Sequence, residues 1–136
     1  MEKIAYRLIV GMLTVVSWLP LKVHYIFSDF LYFLFFKIIR YRLSTVVTNI
    51  ARAYPQADYK EIDKITKGFY HSLCDTIVEA VWAFTRSRER VAELLDFRGC
   101  DVLNEAYGEG KNVLVVMGHQ SNWELYTSLP DLQSFY

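Results

Sequence analysis

Two long apolar runs open the chain, and an amphipathic body with helical periodicity follows them. Residues 4–20 are apolar apart from Arg7 and a few small polar side chains; as a helix they extend about 25 Å, the short end of what crosses a bilayer. Arg7 can snorkel toward the headgroups. The step Leu19-Pro20-Leu21-Lys22 offers no small-residue cleavage site, so the run reads as an uncleaved anchor and not as a signal peptide. Residues 23–39 form a second apolar run, rich in Phe and Tyr but carrying His24 and Asp29. A carboxylate in mid-span is costly in hydrocarbon, and aromatic rings favour the interface, so this run is expected to lie in or against the membrane, with a second full crossing as the alternative. Lys37, Arg40 and Arg42 follow it and predict that the body stays on the cytoplasmic side.

Beyond the anchor, Tyr54-Pro55 breaks a helix carrying Val46, Val47 and Ile50. A new helix is expected to start near Asp58, whose carboxylate can cap it, and to run to about Phe84. Ile62, Ile65, Phe69, Leu73, Ile77 and Val81 recur at spacings of three and four and predict its buried face. Glu61, Lys64, Lys67, Asp75 and Glu79 then fall on a solvated face. His71 and Glu79, eight apart, either face a common site or simply share that face. Residues 86–90 read as a polar helix end and turn, 91–95 as a short helix, 96–98 as a possible strand, and 101–107 as a helix capped by Gly108. After the turn at 108–110, residues 112–117 (Asn-Val-Leu-Val-Val-Met) form a β-branched apolar run between turn signals. That predicts a strand buried on both faces of a parallel sheet. The expected fold is therefore α/β: a membrane helix, further helices, and the start of a mainly parallel sheet. Residues 1–40 are the expected anchor and 41–136 the catalytic portion.

The 136 residues carry no net charge, but the charge is unevenly spread. Residues 1–54 hold seven basic side chains against Glu2 and Asp29, a local charge of +5, which leaves −5 for the rest. A basic apolar front before an acidic body suits an anionic membrane surface and not nucleic acid. Cys74 and Cys100 have no metal-ligand spacing and read as small buried residues in a reducing compartment. His24, His71 and His119 belong to no metal-binding pattern.

The chemistry concentrates in Gly118-His119-Gln120-Ser121-Asn122-Trp123-Glu124, just past the predicted strand, where ligands of open α/β sheets bind. In one continuous helix His119 and Glu124 would point apart. If a helix starts at Ser121, with Ser121-x-x-Glu124 as a capping box, His119 stays in the loop and both side chains can converge. A carboxylate beside an imidazole fixes its tautomer and supports it as a general base for an alcohol. A helix N-terminus there would add positive potential for an oxyanion or phosphate. Alternatively Glu124 only closes the cap and His119 is only a polar strand end. No serine or cysteine stands in a nucleophile elbow, so direct attack by an acceptor hydroxyl is expected.

The chain resembles the bacterial lipid A biosynthesis acyltransferases, the lauroyl/myristoyl branch of the lysophospholipid acyltransferase-like superfamily. The resemblance rests on Ser28-Asp29-Phe30-Leu31-Tyr32-Phe33-Leu34, Tyr41-Arg42, Asn49-Ile50, Tyr54-Pro55 and Phe69-Tyr70. It continues through Asp75, Glu79 and the stretch from Gly99 to Gly110, then 113–119, and ends at Asn122-Trp123-Glu124-Leu125. The family's H-x4-D/E motif falls on His119 and Glu124; where the family usually has glycine before Asn-Trp-Glu, this chain has Ser121. The resemblance implies acyl transfer from an acyl carrier protein thioester to a hydroxyl of a lipid A precursor at the bacterial inner membrane. It implies His119 as general base, Glu124 as its orienting partner, and Gly118, Ser121, Asn122 and Trp123 at the substrate. It implies no metal or organic cofactor. Family members are about twice as long, so this chain is expected to be an N-terminal half with a truncated sheet, inactive alone. An acyltransferase with another lipid acceptor (lysophospholipid, glycolipid or aminolipid) and an inactive membrane-anchored interaction module are the alternatives.

Overall fold

The computed structural model describes residues 2–96, 98, 99, 101–114, 116, 118 and 121–128. They pack as two units, 1–85 and 86–136.

The first unit is helical. α1 (Glu2–Ser17) and α2 (Leu21–Tyr32) are separated by a corner at Pro20, whose ring removes the N–H that a continuous helix would need. α2 runs into a π-helix (Phe33–Ile38), followed by α3 (Leu43–Ala53) and the long α4 (Tyr59–Ala83). The predicted start of α4 is realised at atomic level. Asp58 Oδ1 accepts from the N–H groups of Lys60 and Glu61, each at 2.8 Å, and Glu61 Oε2 accepts from the Asp58 N–H at 3.2 Å. This is a complete capping box.

The buried face of α4 differs from the one that periodicity predicts. Thr66, Tyr70, Cys74, Val78 and Trp82 are buried at intervals of four, whereas Phe69 and Ile77 are exposed. Asp75 and Glu79, expected in solvent, instead turn toward α2. The Ser28 hydroxyl donates to Asp75 Oδ1 at 2.5 Å and the Tyr25 hydroxyl donates to Glu79 Oε1 at 2.8 Å. The Tyr32 ring stacks on His71, with centroids 3.7 Å apart. His24 is buried; its Nδ1 lies 3.3 Å from the Pro20 carbonyl and its Nε2 has no hydrogen-bond partner among the described residues. The α2–α4 seam is thus lined with polar groups, and hydrogen bonds across it override the apolar stripe that the sequence suggests. At the far end, the Ser17 and Thr85 hydroxyls share a hydrogen bond of 2.6 Å that ties the end of α1 to the end of α4.

The apolar groups displaced from the seam point outward. Ile4, Tyr6, Leu8, Met12 and Val15 of α1 are exposed, as are Ile26, Phe27 and Phe30 of α2. No single helix among the described residues is long and apolar enough to cross a membrane; residues 3–17 and 21–38 meet that length and composition only as a pair bent by 114°.

The π-helix ends in a corner with unusual backbone. Arg40 and Arg42 adopt φ of +53° and +50°. The Tyr70 hydroxyl donates to the carbonyl of Tyr41 between them. Phe36 fills the space beside Tyr70, with ring centroids 5.2 Å apart, and Lys37 lies 5.0 Å over Phe36.

The second unit contains α5 (Arg88–Ala92), α6 (Asp101–Gly108) and a 3-10 helix (Trp123–Ser128). α5 begins earlier than expected because Ser87 caps it, accepting from the Arg90 N–H at 3.4 Å. The cap glycine of α6 is Gly110, at φ +71°, and not Gly108. Gly110 donates to the Tyr107 carbonyl and Lys111 to the Ala106 carbonyl, the paired bonds of a Schellman turn.

The expected α/β fold with a parallel sheet is not found: the structure has no strand among the described residues. Residues 112–114 and 116 have no regular secondary structure, and the 96–98 segment supplies no described partner. A strand exists only through hydrogen bonds to a neighbouring strand, and an apolar run without one cannot be buried on both faces. Leu114 and Val116 are accordingly 87% and 85% exposed. The architecture described here is all-helical.

Candidate active site

The candidate site follows that exposed run. Gly118 is described, exposed and outside any regular element, whereas His119, the predicted base, lies outside the described residues, as does Gln120. Ser121 has φ +52°, a left-handed conformation costing a non-glycine residue about 1 kcal/mol. An N-cap is extended, so Ser121 does not have the backbone of a capping residue. The helix instead begins at Trp123, behind Asn122, whose carbonyl accepts from the Leu125 N–H at 3.2 Å. It is a six-residue 3-10 helix and not the α-helix expected, so its peptide dipoles align less well.

Burial fixes which way this short element faces. Asn122 and Leu125 are buried, while Ser121, Trp123 and Glu124 are exposed. α5 packs against the 3-10 helix, and Val91 of α5 is buried in the same unit. Leu125 is held inward, and Glu124, in the first turn, is exposed. The sequence offers one signal for the inward placing of Leu125: it is the first aliphatic residue after 118–124. Of the predicted site residues, Ser121, Asn122, Trp123 and Glu124 are thus contiguous, with Asn122 buried between exposed neighbours. Among the described residues, no group of three or more His, Cys, Asp or Glu side chains is arranged to hold a metal ion. Cys74 is a free, buried thiol whose pKa burial pushes up, and Cys100 lies outside the described residues.

No curated protein and no solved structure matches the chain. The sequence profile of the bacterial lipid A biosynthesis acyltransferases matches residues 2–129, from the first turn of α1 to just past the 3-10 helix that carries Glu124. A match over nearly the whole chain, with the H-x4-E spacing of His119 and Glu124 inside it, identifies the chain as a member of the bacterial lipid A biosynthesis acyltransferase family.

Proposed function

We propose that this protein serves the transfer of a fatty acyl group from an acyl carrier protein thioester to a hydroxyl of a lipid A precursor, at the cytoplasmic face of the bacterial inner membrane. The family match over residues 2–129 carries the reading. His119 is the general base: it takes the proton from the acceptor hydroxyl as the oxygen attacks the thioester carbonyl, and the thiolate leaves on the carrier. Glu124 orients the imidazole and stabilises its protonated form. Gly118, Ser121, Asn122 and Trp123 shape the substrate side of the loop. The mechanism asks for no metal or organic cofactor.

The exposed apolar side chains of the first unit support membrane residence. Ile4, Leu8, Met12 and Val15 of α1 are all more than half exposed. Moving one such side chain from water into an apolar phase is worth about 1.5–3 kcal/mol, so water is a poor surrounding for this helix. Residues 1–40 act as the anchor and 41–136 carry the catalytic portion.

The test is acyl transfer by membranes containing the chain, with and without whatever coding sequence follows it in frame. The assay uses labelled acyl carrier protein thioester and a lipid A precursor. Label should pass to the precursor; His119→Ala should cut turnover ~10²–10⁴-fold, and Glu124→Gln by less. Equal transfer by wild type and His119→Ala would remove the base from the mechanism. Transfer to a lysophospholipid in preference to the precursor would change the acceptor.

A further inference from the structure

We propose that α2 and the π-helix lie flat in the surface of an anionic bilayer, with Ile26, Phe30 and Phe33 among the acyl chains and Lys37, Arg40 and Arg42 at the lipid phosphates. The inference rests on the membrane residence proposed above and adds to it a defined face, orientation and headgroup contact.

Four observations converge. First, α2 is inverted relative to a helix in water. Its buried residues are His24 and Ser28, and its bonds to α4 run through Tyr25 and Ser28, whereas Ile26, Phe30 and Phe33 are 69%, 61% and 53% exposed. Spaced by four and three, these three share one stripe. Second, Lys22 and Asp29, seven apart, fall four and three residues from Ile26, at one edge of that stripe, and are both exposed. A helix crossing the bilayer would carry Asp29 through hydrocarbon, whereas a helix lying flat holds both charges at the headgroup boundary beside the stripe. Third, the apolar stretch is bounded by charge that matches anionic lipid: Lys37, Arg40 and Arg42 are all exposed at its end. Fourth, the two arginines sit in a backbone region that glycine favours, and the corner is braced by the Tyr70 hydroxyl on the Tyr41 carbonyl. A chain needing only a turn there would be better served by glycine, so the side chains account for the arginines.

The experiment uses the full chain with Cys74 and Cys100 replaced by Ala and single nitroxide labels at Lys22, Ile26, Asp29, Phe30 and Phe33, bound to phosphatidylethanolamine vesicles containing phosphatidylglycerol. The labels at Ile26, Phe30 and Phe33 should report one common shallow depth, with those at Lys22 and Asp29, seven residues apart, equal to each other and nearer the headgroups. Depth that increases steadily from Lys22 to Phe33 means that α2 crosses; the inference then fails while membrane residence stands. Vesicles that bind nothing, with the chain self-associating through this face instead, overturn both. In a second arm, Arg40→Gly and Arg42→Gly should each weaken binding to these vesicles about fivefold. Binding to vesicles of phosphatidylcholine alone should stay the same, and thermal stability should be equal or higher. Unchanged affinity for the anionic vesicles would remove the phosphate contact.

Discussion

Tyr25 shows how one side chain ties α2 to α4 in a pH-dependent way. Burial, then its hydrogen bond to Glu79 and the nearby carboxylate charges of Glu79 and Asp75, push its pKa from 10.0 up to about 12. The folded protein therefore holds the phenol proton more tightly than the unfolded chain does. The resulting stabilisation is complete below pH 10 and disappears as pH rises from 10 to about 12. Unfolding midpoints of wild type and Tyr25→Phe, compared across that range so that other groups cancel, should differ by a constant amount below pH 10 and converge above it. A constant difference throughout would mean that the phenol is not held by Glu79. Residue-scale features of this kind divide by sequence distance. The Asp58 cap is legible because donor and acceptor lie three residues apart, whereas Ser28 and Asp75 are 47 apart and nothing local announces their bond. The strained φ values of Arg40 and Arg42 are invisible for the same reason, being fixed by Tyr70 from another helix.

At the scale of elements, α4 is the backbone of the first unit, since α1, α2, the π-helix and α3 all pack on it. Its first turn is held by Asp58 and Glu61, so Asp58→Ala should lower stability by about 1 kcal/mol, read by thermal or urea unfolding, and Asp58→Asn by much less. An equal loss for both would indicate that charge, and not the cap bond, matters. The helices themselves were legible: both apolar runs, the break at Tyr54-Pro55, and the helices near 58–84 and 101–107 appear close to where periodicity and turn residues put them. Their orientation was not. Assigning the apolar stripe of α4 to the interior assumes that water lies outside, and the buried ladder from Thr66 to Trp82 runs beside that stripe and not along it. The expected strand at 112–117 failed for another reason: a β-branched run is only a candidate until a neighbour supplies its hydrogen bonds, and the described residues provide none.

At the scale of the whole molecule, the proposed anchor and the proposed chemistry fall in different units: the apolar helices in 1–85, and the H-x4-E motif with the 3-10 helix in 86–136. The motif was legible as a spacing, and its supporting structure only in part. The expected cap at Ser121 is replaced by a left-handed residue, and the helix begins two residues later. The polar seam between α2 and α4 has a further consequence for how the protein tolerates change. In a protein surrounded by water, polar substitutions are accepted outside and rejected inside. Here the rule should be reversed: a saturation library of residues 21–38, scored by complementation, should accept Ile, Leu or Val at Phe27 and Phe30 but not Asp or Lys. Ser28, although buried, should reject every aliphatic replacement, because each would leave Asp75 without its hydroxyl donor.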